Sequence, residues 1–92
     1  MIKADLVESV YQRIGISKKD AAEIVDSFFE IIREQLESGE SVKISGFGNF
    51  NIRHKNPRPG RNPKTGDEVE IPARSVLTFK ASQILRDRVS GL

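Results

Sequence analysis

Residues 18–38, "KKDAAEIVDSFFEIIREQLES", set the tightest limit on what this chain can fold into. Ala21, Ala22, Ile24, Val25, Phe28, Phe29, Ile31, Ile32 and Leu36 recur at helical spacing. They cover more than one stripe, because adjacent residues sit roughly 100° apart around a helix axis. Such a helix must be covered on more than one side. The chain has only 92 residues, near the lower end of sizes that fold alone. Either its own sheet covers both faces, or a second chain does, identical or a close paralogue. The small mass favours the second chain.

The remaining pattern supplies an α+β fold. Ile2, Leu6, Val7, Val10, Tyr11 and Ile14 predict an amphipathic helix over 3–14, stopped at Gly15. Ser17 is the expected cap of the second helix, with Asp20 as a weak capping-box partner and Gly39 as its left-handed stop. In "SVKISGFGNFNIRHK", Val42 and Ile44, then Phe50 and Ile52, alternate with polar residues. This predicts two strands joined by a Gly-Phe-Gly turn, with Phe47 tucked into the core. "ARSVLTFK" predicts a third strand with Leu77 and Phe79 on one face, and "ASQILRDRVS" a closing helix burying Ile84, Leu85 and Val89.

Between the second and third strands lies "RPGRNPKTGDEVEIP" (58–72), with three prolines, two glycines and three cations. It can bury almost nothing. Strand pattern enters from Ile52 to Asn56 and returns from Val69 to Ala73, while "NPKTG" reads as a tight reversal. The expected geometry is one long two-stranded ribbon leaving the body, about ten residues a side and roughly 30 Å long. Pro57, Pro59 and Pro72 each lack a ladder donor, which discourages edge-to-edge pairing.

Charge is uneven. Residues 1–42 hold five Lys/Arg against nine Asp/Glu, and residues 43–92 hold ten against four. No acid occurs from Ser41 to Gly66, where Lys43, Arg53, Lys55, Arg58, Arg61 and Lys64 accumulate. Such a stretch suits a polyanion or simply a solvated loop, and charge alone does not choose.

Catalytic chemistry finds no foothold. There is no cysteine, so disulfides, thiolate metal sites and cysteine nucleophiles are excluded, in keeping with a reducing compartment. His54 is the single histidine and has no ligand-spaced partner, so it reads as a surface residue within reach of a phosphate at most. Gly60 and Gly66 do not make a phosphate-binding loop, because Asp67 follows Gly66. The expectation is no enzyme, catalytic residue, metal or cofactor. The charged start and the lack of a roughly 18-residue apolar run predict neither a secretory leader nor a membrane span. Binding remains. Arg58, Arg61, Asn62 and Lys64 surround the rigid Pro63, a set suited to the minor groove. There Pro63 either wedges a base step open or merely shapes the turn.

"SGFGNF" (45–50), "RPGRNPKTG" (58–66) and "IPAR…TFK" (71–80) resemble the histone-like HU and integration host factor family of bacterial DNA-bending proteins, with the nearer likeness to the integration host factor alpha subunit. The resemblance implies an intertwined homodimer or heterodimer, its arms reaching round duplex DNA through the minor groove. It implies one domain over 1–92, with 1–40 serving dimerisation and 41–92 holding the sheet, an arm at about 53–74 and the last helix. By motif match Pro63 intercalates, with Arg61, Asn62 and Lys64 beside it and Arg58 and Gly60 along the arm. Ser45, Gly46 and Gly48 lie in a turn against the DNA backbone. Lys3, Lys43, Arg53, Lys55, Arg74, Lys80 and Arg86 are further candidate phosphate contacts. Implied roles are DNA condensation, recombination and transcription regulation in the cytoplasmic nucleoid. Structured-RNA binding or protein interaction by the basic arm is the alternative. Where members often carry glycine before the last helix, this chain has Ser82, whose side chain affects backbone approach to a phosphate.

Overall fold

The computed structural model describes residues 1–92, which form two compact units, Met1–Glu34 and Gln35–Leu92. The order is α1 (Lys3–Ile14), α2 (Lys18–Glu37), β1 (Val42–Ile44), β2 (Gly48–Lys55), β3 (Arg58–Arg61), β4 (Glu68–Ile71), β5 (Arg74–Ala81) and α3 (Gln83–Ser90). This is the expected α+β arrangement. No helix is long and apolar enough to cross a membrane.

In the first unit the sequence signals act as their chemistry dictates. The Asp5 carboxylate accepts from the Ile2 amide at 2.8 Å, and Gly15 closes α1 at φ 74°. The Asp20 amide donates to Ser17 Oγ at 3.1 Å, satisfying a helix-start donor. Lys3 and Asp26 join α1 to α2 by an exposed ion pair, a surface contact worth at most about 1 kcal/mol. Only Ala21 and Val25 are buried. Ile24, Phe28, Phe29 and Ile31 remain about half exposed or more, so the wide apolar surface of α2 is left largely uncovered.

The second unit is built on the antiparallel sheet β1–β2–β5. Its register pairs Phe50 with Phe79 and Ile52 with Leu77, placing the apolar residues on one face. The Phe47, Phe50 and Phe79 rings cluster there, with the Phe50 and Phe79 centroids 4.8 Å apart. Phe47 was expected in the core but is 45% exposed, as are Leu77, Ile84 and Val89 to greater extents. Their apolar surface lacks cover within this chain.

The ribbon differs from a single continuous ladder. β2–β5 pairing ends at Lys55–Arg74, and the separate β3–β4 ribbon resumes at Arg58–Ile71. Two residues are skipped on each strand, so the matching of partners does not slip. The omitted pairs are Asn56–Ala73 and Pro57–Pro72. Two opposed prolines offer no N–H to each other, and the ladder stops before them.

Candidate nucleic-acid interface

Strand alternation collects five of the ten predicted cations. Opposite the Phe50–Phe79 face, the register puts Lys43, Asn49 and Lys80 side by side, then Asn51 with Thr78, Arg53 with Val76, and Lys55 with Arg74. Period-2 spacing sorts the sheet into an apolar face and a cationic one. Asn49, Asn51 and Thr78 were not singled out in the sequence, although their odd and even positions relative to Arg53 and Lys80 carried the signal. His54 lies on the other face, its Nδ1 2.7 Å from Ser75 Oγ. It does not join the cations.

One end of this face forms a cleft of about 330 Å³ lined by Lys43, Ser45, Gly46, Gly48, Lys80 and Arg86, among others. Six predicted residues from β1, its turn, β2, β5 and α3 therefore meet at one concavity, with the N-terminus of α3 at its rim. Ser82 ties the parts together. Its amide donates to the Phe47 carbonyl at 2.9 Å, and its Oγ accepts from the Leu85 amide at 3.1 Å. The serine that replaces an expected glycine is thus the α3 N-cap. Gly46 holds φ 76°, a left-handed conformation that glycine takes without strain. Gly48 is buried instead of facing outward; a Cβ there would lie 2.7 Å from the Lys80 carbonyl oxygen. Lys3 belongs to the other unit, paired with Asp26.

At the arm tip, the Asn62 amide donates to the Asp67 carbonyl at 2.8 Å and the Gly66 amide to the Asn62 carbonyl at 2.7 Å. Asn62 Oδ1 accepts from the Lys64 amide at 2.9 Å, and Gly66 takes φ 74°. Asn62 thus shapes the turn through its oxygen while its amide protons remain available. Pro63 and Lys64 are exposed at the apex. Arg61 faces Glu68 across the ribbon at 3.9 Å, both largely solvated. Gly60 sits under Ile71, whose side chain occupies the place of a Cβ. No group of three or more His, Asp or Glu gathers as a metal site.

A sequence profile described as "Bacterial DNA-binding protein" matches residues 1–90. The chain belongs to this family. It is a DNA-binding architectural protein of the kind that includes HU and integration host factor. Among curated relatives, it is 59% identical to integration host factor subunit alpha of Anaeromyxobacter sp. (strain K), covering 99% of this chain and 80% of that one. The subunit alpha of Aliivibrio fischeri (strain MJ11) is 56% identical over the whole chain and 94% of its own length. Among solved structures, an Anabaena HU–DNA cocrystal matches with TM-score 0.79 and 38% identity, covering all of both chains. An HU variant from Thermotoga maritima matches with TM-score 0.70 and 30% identity over 97% of this chain and 99% of that one.

Proposed function

We propose that this family member acts as a dimer that binds duplex DNA through the minor groove and bends it by inserting Pro63 between base pairs. The whole of residues 1–92 acts as one DNA-binding domain. Residues 1–40 serve dimerisation, and the arm at about 53–74 enters the groove. The observation that carries this reading is the β3–β4 ribbon. It pairs with no other strand and ends in an exposed, rigid proline flanked by Arg61, Asn62 and Lys64. Arginine suits the groove's negative potential, and the Asn62 amide protons suit its acceptor-rich floor. An apolar wedge unstacks a base step at about a few kcal/mol, offset by the extra phosphate contacts that bending allows.

The cleft at Lys43, Ser45, Gly46, Lys80 and Arg86, together with Arg53, Lys55 and Arg74 along the sheet, holds the flanking backbone. Lys3 adds a contact from the helical unit once its pair with Asp26 is exchanged for a phosphate. These contacts position the duplex, while preference among sequences follows mainly from deformability. The uncovered apolar surface of α2 supports a second chain, and the relatives' designation as subunits supports a paralogous one. The setting is the bacterial nucleoid, with roles in DNA condensation, recombination and transcription control.

The test is energy transfer between dyes at the two ends of a duplex as protein is added. Saturation should bring the ends closer. Log affinity should fall against log salt by about 0.9 per phosphate neutralised. Saturable binding with unchanged energy transfer would remove bending from the account, and a flat salt profile would remove the phosphate contacts.

A further inference from the structure

Hydrogen-bonded pairs in an antiparallel ladder recur at every second residue. Near the body, the Ser82 amide donates to the Phe47 carbonyl, one pair beyond Gly48–Ala81. Odd-numbered residues of β2 are therefore the ones that bond across to β5. The Ile52 amide agrees, turning to the opposite edge and Ser41 Oγ at 3.3 Å. At the tip, the Asn62 amide donates to the Asp67 carbonyl, one pair beyond Arg61–Glu68. In β3, then, even-numbered residues bond across to β4. Pro59 lies inside β3 at an odd position, where no N–H is needed.

Phe47 and Asn62 are an odd number of residues apart, and the partner matching does not slip between them. The alternation must therefore change phase once. The only interruption is at 56–57 opposite 72–73. After Lys55–Arg74 the next bonded pair would be Pro57–Pro72, in which neither residue has a donor.

This shift decides which face is which. For L-residues of fixed strand direction, the edge an amide faces sets the face its side chain takes. Apart from ordinary twist, the arm residues that continue the Arg53–Lys55–Arg74 face are thus Arg58, Gly60, Val69 and Ile71. With unbroken alternation they would be Pro59, Arg61, Glu68 and Glu70, which would put two carboxylates on the cationic side.

We propose that the Pro57–Pro72 pair is a phase switch that presents the acid-free arm face of Arg58, Gly60, Val69 and Ile71 to the duplex and turns Glu68 and Glu70 away. The proposal rests on the DNA-binding reading above and specifies which arm face meets the polyanion. Arg61, on the far face beside the tip, reaches the groove by extending round the ribbon edge.

Amide hydrogen exchange of the free protein tests the switch without DNA. Protection should fall on Arg53 and Lys55, then on Arg58, Gly60, Val69 and Ile71, with Arg61, Glu68 and Glu70 exchanging fast. Protection on Arg61, Glu68 and Glu70, with Arg58, Gly60, Val69 and Ile71 exchanging fast, overturns it. So does fast exchange throughout the arm, since an unformed ladder fixes no face. For the facing, Val69→Glu and Pro59→Glu each add one carboxylate, on opposite faces. Val69→Glu should weaken duplex binding about tenfold or more and Pro59→Glu less than about threefold, since a carboxylate facing the groove meets like charge. Equal or reversed effects overturn the facing. Failure of the unmodified protein to bind duplex DNA would instead remove the DNA-binding reading and leave the exchange pattern standing.

Discussion

Gly48 is a residue whose packing role only coordinates reveal. Its place in "SGFGNF" suggested a turn lying against DNA. The structure gives a packing reason, because a Cβ would meet the Lys80 carbonyl oxygen at 2.7 Å and the Phe79 ring at 2.6 Å. Gly48→Ala should lower stability by about 1–3 kcal/mol through overpacking, measured by denaturant unfolding. A loss below about 0.5 kcal/mol would show that the strands part easily. Ser82 is similar. Its role as the α3 cap predicts that Ser82→Ala costs about 1 kcal/mol while Ser82→Gly costs a few tenths, in the same assay. Equal losses would mean the hydroxyl contributes no cap. The Gly48 contact cannot be read from local spacing, since it depends on which residues pairing brings opposite.

Elements were legible where the chemistry that starts and stops them is local. Ser17, Gly15 and Gly39 mark the ends of α1 and α2 because capping and left-handed stops need only nearby residues. Ser17→Ala should cost about 1 kcal/mol of helix stability, and no change in unfolding would show that the cap is dispensable. The sheet was legible because period-2 alternation sorts Phe50, Ile52, Leu77 and Phe79 from Lys43, Arg53, Lys55 and Lys80. The interruption of the ribbon was not. Pro57 and Pro72 each signalled a missing donor, but their opposition depends on register, which composition does not state. The placement of His54 on the apolar side of the sheet, by contrast, follows from the same alternation, since it stands two residues after Ile52.

At the scale of the whole molecule, the exposed Phe28, Phe29, Leu77 and Phe79 leave one chain without a sufficient core. Burial of Phe47, Ile84 and Val89 was anticipated from pattern, and pattern does not say whether the cover comes from the same chain. If a second chain supplies it, the thermal midpoint of the assembled protein should fall on dilution, because association contributes to stability. A midpoint independent of concentration, with a monomer mass in solution, would oppose the dimer. The charge asymmetry, negative in residues 1–42 and positive in 43–92, is consistent with the proposed placement of the polyanion on the sheet and arm. The central claim is that Pro63 bends what the arm holds. Its most direct measurement compares Pro63→Ala with the unmodified protein on one end-labelled duplex, reading affinity and end-to-end energy transfer together. The account predicts a large loss of bending with a smaller loss of affinity. Undiminished bending by the alanine variant at saturation would contradict it.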